Sequence, residues 1–421
     1  DTVFMTLYGR YAHHVFPAIQ SLDNFYCRQY ANGYICREIV GASGADFVFE
    51  GREHTVNPPL FSWAEVESYR VTGDKSRFAA VLPVLEHYTE WVEQHRRKPG
   101  TAHGLYWNTG LGSGMDNVPR RGSGWVDMSV QMVLCYRDLA FMAGELGRTE
   151  QQRAWAARAA DIAARIRQFM WNEPDGIYYD IEDDGRQVKV KTIAGFWPLL
   201  AEIPTAAEAD RLLLTLKNPR YFWRTIPFAS LSADESDYKP DGRYWLGGVW
   251  APTNVMVVKG LDNYAREGEA APVFRDFARL AAGTYLDGLY RVYRQTGTLW
   301  ENYSPDSYSH GVPAQPDFVG WTGCGPIMLL IEDVLGFRPD GAHRRLTWYL
   351  GRRDEHGIRG LHFGGAVVDA ICAHRRDLNA PADIEVTTDV EIELVVKHPR
   401  QDFVRTLPPG THHVHLAPGM P

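Results

Sequence analysis

Asp116 and Glu301 are the carboxylates of this chain whose surroundings suit proton transfer better than simple solvation. Asp116 sits in Gly110-Leu-Gly-Ser-Gly-Met-Asp-Asn-Val-Pro-Arg120, a glycine-rich stretch that reads as a loop rather than a regular helix. Glu301 sits in Thr298-Leu-Trp-Glu-Asn-Tyr-Ser-Pro305, beside aromatic neighbours. Cleaving an acetal takes one carboxylic acid to protonate the leaving oxygen and one carboxylate to activate water. In inverting chemistry the two stand about 6.5–9.5 Å apart so that the water fits between them. Asp116 and Glu301 are far apart in sequence, so only a ring-like fold brings them together, and spacing alone leaves many other carboxylate pairs open.

Most of the chain that must position them has helical periodicity. Phe78, Val81, Leu82, Leu85 and Val92 share one helix face, with Asp74 as the expected N-cap and Pro83 as an expected bend. Thr149 and Gln152 have capping-box spacing ahead of a stripe of Trp155, Ala159, Ile162, Ile166 and Phe169. Further helices are read near 5–30, 60–72, 125–147, 191–202, 205–217, 249–267, 270–293 and 321–335. The segments 98–124, 218–248 and 294–320 are long, polar and rich in Gly and Trp, as functional loops are. After residue 338 the period changes: Ile384, Val386, Val390, Ile392, Leu394 and Val396 alternate as half-buried strands do, and Gly357–Gly364 and Thr411–Leu416 read as further strands. The expected architecture is a mainly α protein, a double-layered ring of helices over 1–338 with a small β-sandwich over 339–421.

Composition narrows the chemistry. The chain has 421 residues, 45% hydrophobic and 23% charged, with a formal net charge of −8, so the basic footprint of a nucleic-acid binder is missing and no nucleic-acid partner is expected. The longest apolar stretch, Gly325–Leu330, is too short to cross a bilayer, and no membrane partner is expected. Cys27, Cys36, Cys135, Cys324 and Cys372 are odd in number and widely spaced, which indicates neither a zinc site nor a disulfide framework. Aromatic content reaches 12% with 13 Trp, many beside Gly, Asn, Asp or Glu, a setting that suits stacking on sugar rings as well as packing. His413 and His415 share one strand face without a third ligand, and Asp180–Gly185 reads as a hairpin turn with Asp-Gly at its tip rather than a calcium loop. No metal or cofactor is expected.

Several segments resemble glycoside hydrolase family 63 and the trehalase clan. Gly114-Met-Asp-Asn-Val-Pro-Arg120 resembles the clan's Gly-Trp-Asp-x-Ser-Pro-Arg loop, and Leu299-Trp-Glu-Asn-Tyr303 resembles its Glu-Lys-Tyr segment. Tyr244-Trp-Leu-Gly-Gly-Val-Trp-Ala-Pro-Thr-Asn254 is similar to its Tyr-Trp-Arg-Gly-x-Val-Trp-Ala-Pro-Thr-Asn. Asp1-Thr-Val-Phe4 resembles the end of its Trp-Asp-Ser/Thr-x-Phe segment, and Phe318-Val-Gly-Trp-Thr-Gly323 its Phe-Gly-Trp-Ser/Thr segment. The order is the clan's, and the matches span residue 1 to about 335. The resemblance implies an (α/α)6 barrel with an inverting mechanism, Asp116 as general acid and Glu301 as general base. About ten helices are read where the clan has twelve, so the barrel is expected to be N-terminally incomplete, the missing piece either on another chain or lost, and a missing N-terminal segment or a homo-oligomer is the further partner open. Met115 stands where the clan has Trp and Leu246 where it has Arg. The trehalase Gln-Trp-Asp-Tyr-Pro segment has no counterpart, which favours bacterial family 63-like α-glycosidases over trehalases.

The expected substrate-binding set is Asp1, Phe4, Arg37, Asn57, Trp107, Asn108, Arg120, Asp127, Trp245, Gly248, Trp250 and Trp321. Within it, a helix N-terminal charge explains Asp127 equally well, a pair with Glu38 competes for Arg37, and core packing claims one or two of the tryptophans. The expected partner is an oligosaccharide or small glycoside, and the expected activity is exo-acting, inverting cleavage of an α-linked glucoside or mannoside. Two alternatives stay open: a catalytically incomplete glycan-binding relative, and a sugar isomerase or polysaccharide lyase on the same helical ring. The compartment is open between bacterial cytoplasm and periplasm, since no targeting segment is visible.

Overall fold

The computed structural model describes residues 1–47, 55–266, 270–399 and 401–417. Residue 267, the expected end of one helix, and residues 400 and 418–421 of the expected sandwich lie outside the described residues. The chain forms two compact units. One comprises Asp1, Leu22–Trp63 and Phe78–Thr322; the other comprises Thr2–Ser21, Ala64–Arg77 and Gly323–Pro421.

The first unit is built on long helices: Phe78–Arg96, Val126–Glu145, Thr149–Met170, Ala206–Lys217, Ala251–Tyr264 and Ala271–Thr296. Their faces follow from sequence period. Phe78–Arg96 buries Phe78, Val81, Leu82, Leu85 and Val92, the expected face, with Tyr88 and Trp91 joining them. Pro83 lies on its exposed side, where a carbonyl that loses its N–H partner can turn to water. Val126–Glu145 is buried on nearly every side, from Val126 through Gln131 to Ala143, as befits an interior helix. It ends at Gly147, whose φ of +71° allows the turn into Thr149–Met170 that a side chain would resist.

Several local expectations change. Asp74 does not cap Phe78–Arg96; its carboxylate accepts from the Ser76 N–H at 2.8 Å and stabilises the turn ahead of the helix instead. Thr149 is already the first helical residue, because the Arg148 carbonyl accepts from the Gln152 N–H at 3.0 Å, so its hydroxyl misses the cap position. The reciprocal capping box forms at Thr205 and Glu208, which open Ala206–Lys217. The stripe of Thr149–Met170 also closes on Met170 rather than Phe169. The continuous helix read near 5–30 is broken into Thr2–Gly9 and short turns around Pro17.

In the second unit two four-stranded sheets form. One has the order Gly410–Leu416, Ala382–Thr388, Ala366–Cys372, His356–Phe363, all antiparallel; the other has Gln401–Leu407, Ile392–His398, Arg345–Tyr349, Phe337–Asp340. Ile392–His398 runs parallel to Arg345–Tyr349, with Val396 opposite Trp348. Ile384, Val386, Ile392, Leu394 and Val396 point into one apolar core with Trp348 and Phe363, as the alternation requires. Gly325–Val334 is a wide helix of π type, closed by the Leu335 N–H on the Leu330 carbonyl at 2.8 Å. Among the described residues no helix is long and apolar enough to cross a membrane.

Candidate active site

The acid loop is built from its two ends. At its start the Thr109 hydroxyl accepts from the Gly112 N–H at 2.9 Å and caps a single helical turn, Gly110–Ser113, inside the stretch read as pure loop. Gly114, with φ +74°, ends that turn and presents Asp116 two residues later. At its far end Arg120 is buried and forked between two carboxylates. Its Nη2 donates to Asp127 at 2.9 Å and to Asp180 at 2.8 Å, its Nε donates to Asp180 at 2.8 Å, and its Nη1 donates to Asp127. The guanidinium also lies 4.2 Å from the Trp125 ring centroid. Burial works against the Arg120 charge, yet Asp127 and Asp180 together hold its pKa well above the usual arginine value. Burial lifts the Asp180 carboxyl above its usual range, with Arg120 opposing and the charge of Asp127 adding.

Asp116 itself opens to solvent on one side. Desolvation on its other side raises its carboxyl above the usual range, and the nearby Arg37 cation opposes that rise. Glu301 is half-buried on the facing loop. One of its oxygens accepts from the Gln315 N–H at 3.2 Å, and the other faces the Tyr244 hydroxyl at 3.5 Å. Its backbone is pinned as well: the Glu301 N–H donates to the Gln315 carbonyl at 2.9 Å and the Trp321 indole N–H to the Glu301 carbonyl at 2.8 Å. Burial raises the Glu301 carboxyl, the Gln315 and Tyr244 donors pull it down, and the charge of Asp116 pushes it up again. The charge of Asp116 thus reaches Glu301, and both carboxylates raise the Tyr244 hydroxyl after its own burial.

Tyr244 opens a motif quoted from the sequence but is absent from the expected binding set, and its hydroxyl faces Glu301. It and Arg243 adopt left-handed backbone, φ +68° and +35°, which non-glycine residues hold only when their surroundings impose it. Behind them Trp245 and Trp250 stack at 4.0 Å with 3° between planes, and Trp321 meets Trp250 edge-on at 5.6 Å. Trp245 and Trp250 are buried and pack behind Tyr244 rather than offering an open stacking platform, while Trp321 is only half-buried. Gly248 acts sterically, since a Cβ there would stand 2.1 Å from the Tyr244 carbonyl oxygen and 3.0 Å from the Trp250 indole nitrogen. Gly248→Ala is expected to displace Tyr244 and to destabilise the chain by about 1–3 kcal/mol. A thermal melt together with turnover measures both effects; unchanged values would mean that the loop has room to spare.

The remaining expected residues divide. Arg37 is placed by Asn57, whose side-chain amide donates to the Arg37 carbonyl at 2.9 Å, and the Arg37 guanidinium pairs with Glu38 at 3.1 Å while acting on Asp116. Asn108 is buried and structural, donating to the Val56 carbonyl at 3.2 Å and accepting from the Thr109 N–H at 2.9 Å. Trp107 is half-buried between Arg96 and Lys98, whose cations lie 5.1 and 4.6 Å from its ring. Arg120 and Asp127 pair with each other, and Arg120 also with Asp180, which anchors the far end of the loop. Phe4 lies buried in the second unit, where its carbonyl accepts from the Cys324 thiol at 3.1 Å, whereas Asp1 is exposed and belongs to the first. Asp180–Ile181 and Gln187–Val188 form the hairpin read around Gly185, which has φ +83°. Beside Tyr244 an open cleft of about 670 Å³ is lined by Asn117, Lys239, Arg243, Tyr244, Leu246 and Pro313.

Against known protein families, residues 26–311 match the mannosylglycerate hydrolase MGH1-like glycoside hydrolase domain. The chain belongs to this glycoside hydrolase family. Among its relatives is an uncharacterized protein of Borreliella burgdorferi, 27% identical over 371 residues, which cover 86% of this chain and 76% of the relative. The mannosyl-oligosaccharide glucosidase of Saccharomyces cerevisiae is 23% identical over 272 residues, 60% of this chain but 32% of the yeast protein, so the chain spans about a third of that enzyme. In fold it resembles the family 63 mannosylglycerate hydrolase of Thermus thermophilus in complex with glucose, with a TM-score of 0.58 at 22% identity over 74% of this chain and 87% of that one. Membership of this glycoside hydrolase family agrees with the resemblance carried by the Asp116, Tyr244 and Glu301 segments.

Proposed function

We propose that the chain hydrolyses a small α-linked glucoside or mannoside, exo-acting and with inversion, with Asp116 as general acid and Glu301 as general base. The observation that carries this reading is the bridge between the two loops: Asn117, next to Asp116, bonds the Arg243 carbonyl and the Trp245 N–H, and Tyr244 between them holds its hydroxyl 3.5 Å from Glu301. In this reading the helices belong to an (α/α)6 barrel, the half-buried Trp321 and Trp107 and the Arg37 cation contact sugar hydroxyls and ring faces, and Glu301 holds the attacking water. The cleft beside Tyr244 receives the leaving group. Lys239 and Arg243 on its wall suit an aglycone bearing a carboxylate, and a glycerate conjugate of mannose or glucose fits both that charge and the family.

Proton NMR on a panel of α-linked glucose and mannose disaccharides and their glycerate conjugates tests the reading. The β-anomer is expected as the first product, before mutarotation. An α-anomer would withdraw the water-activating role of Glu301, and binding of these glycans without any product would leave a glycan-binding relative in place of an enzyme.

A further inference from the structure

We propose that Asn117 is a positioning residue whose side chain clips the backbone on both sides of Tyr244 and so holds the Tyr244 hydroxyl against Glu301. This rests on the carboxylate reading above and assigns a role to the neighbour of the general acid. The Asn117 Oδ1 accepts from the Trp245 N–H at 2.9 Å, and its Nδ2 donates to the Arg243 carbonyl at 2.9 Å. One carboxamide thus brackets Tyr244 from a loop more than a hundred residues away in sequence.

The bracketed segment needs such a clip. Arg243 and Tyr244 both hold left-handed φ values that L-residues leave readily when nothing restrains them. The other restraints on Tyr244 come from its own side of the site: its N–H donates to the Val312 carbonyl at 3.2 Å and its carbonyl accepts from the Trp250 indole at 3.3 Å. Asn117 is the tie that reaches across to the acid loop. At 3.5 Å the Tyr244 hydroxyl sits at the outer limit of hydrogen bonding to Glu301, so a displacement of a few tenths of an ångström breaks the contact. The position of the base's donor is therefore referenced to the residue next to the acid. If the acid loop shifts, Tyr244 shifts with it.

Asn117→Ala, Asn117→Asp, Tyr244→Phe and the Asn117→Ala/Tyr244→Phe double variant, followed by NMR on α-mannosylglycerate across pH, test the clip. Asn117→Ala is expected to lose about tenfold or more in kcat with little change in KM, as when an interaction made only in the transition state is removed. Its acidic limb should move to higher pH, in the same direction as that of Tyr244→Phe. The sign follows from the groups facing Glu301: the Tyr244 donor lowers its carboxyl and the charge of Asp116 raises it, while Arg37 acts on Asp116 and Tyr244. Losing the donor leaves the base protonated to a higher pH. Asn117→Asp keeps the acceptor for Trp245 and loses the donor to Arg243, and should fall between parent and Ala. The double variant should be no slower than Tyr244→Phe. Parent-like kcat and acidic limb in Asn117→Ala, beside inactive Asp116→Asn and Glu301→Gln, would overturn the clip alone. Parent-like turnover in those two carboxylate variants would overturn the carboxylate reading and the clip with it.

Discussion

Asp116→Asn and Glu301→Gln are each expected to lower kcat by about 10²–10⁴-fold, the usual contribution of a positioned acid or base, while the chain stays folded. The Asp116 carboxylate opens to solvent, and the Asn amide fits the same space. Glu301→Gln keeps an oxygen for the Gln315 N–H, so the loop retains its anchor. The losses should differ in their pH signature. On the proposed roles, parent activity should fall at low pH as Glu301 takes a proton and at high pH as Asp116 loses one. Burial raises both carboxyls, so each limb should lie above that of a free carboxylate, which titrates near about 4. Removing the acid should abolish the basic limb, and removing the base should abolish the acidic one. A residual rate in Asp116→Asn that keeps its basic limb would show that another group donates the proton.

Arg120→Met is the substitution expected to cost most stability. It removes the guanidinium that lies between Asp127 and Asp180 and leaves two buried carboxylates facing each other. Breaking a buried pair by deleting one partner costs about 3–5 kcal/mol. Arg120→Lys should recover little of it, because a single ammonium cannot fork to both carboxylates. Without the cation, burial and the charge of Asp127 hold the folded-state pKa of Asp180 still further above the unfolded value. The folded state then binds more protons than the unfolded one, so the deficit should shrink as pH falls and be largest near neutrality. Urea unfolding followed by circular dichroism from pH 4 to 8 measures this. A midpoint equal to the parent's at pH 7 would mean that water or another cation replaces the guanidinium.

How much of this was legible beforehand depended on whether a residue acts locally. Asp116 and Glu301 stood out because each carries its own neighbourhood, glycines for one and aromatics for the other. The strand alternation through Ile384, Val386, Ile392, Leu394 and Val396 was equally plain, since burial on one face imposes a period of two. Caps were harder. Thr149 with Gln152 and Thr205 with Glu208 have the same spacing, and the second forms the box because its helix begins one residue after the threonine rather than on it. Tyr244 and Asn117 lay inside quoted motifs, but nothing local showed what they bond, because their partners are distant in sequence: Glu301 for one, Arg243 and Trp245 for the other. Arg120 was marked by its motif, but the motif did not say that its fork would close on Asp127 and Asp180. The left-handed backbone at Arg243 and Tyr244 has no marker in residue type, for neither is glycine or asparagine.

Arg243 unites two roles that natural variation can separate. Its backbone is fixed by Asn117 and by its own left-handed φ, whereas its exposed side chain lines the cleft and pairs with Asp241 at 3.0 Å. On the proposed roles, selection on catalysis would act on the carbonyl, which every amino acid possesses, and selection on the leaving group on the side chain. Descendants of this sequence could then drift in what they recognise at this position, with glycine and asparagine the easiest substitutes, while the geometry around Tyr244 is inherited unchanged.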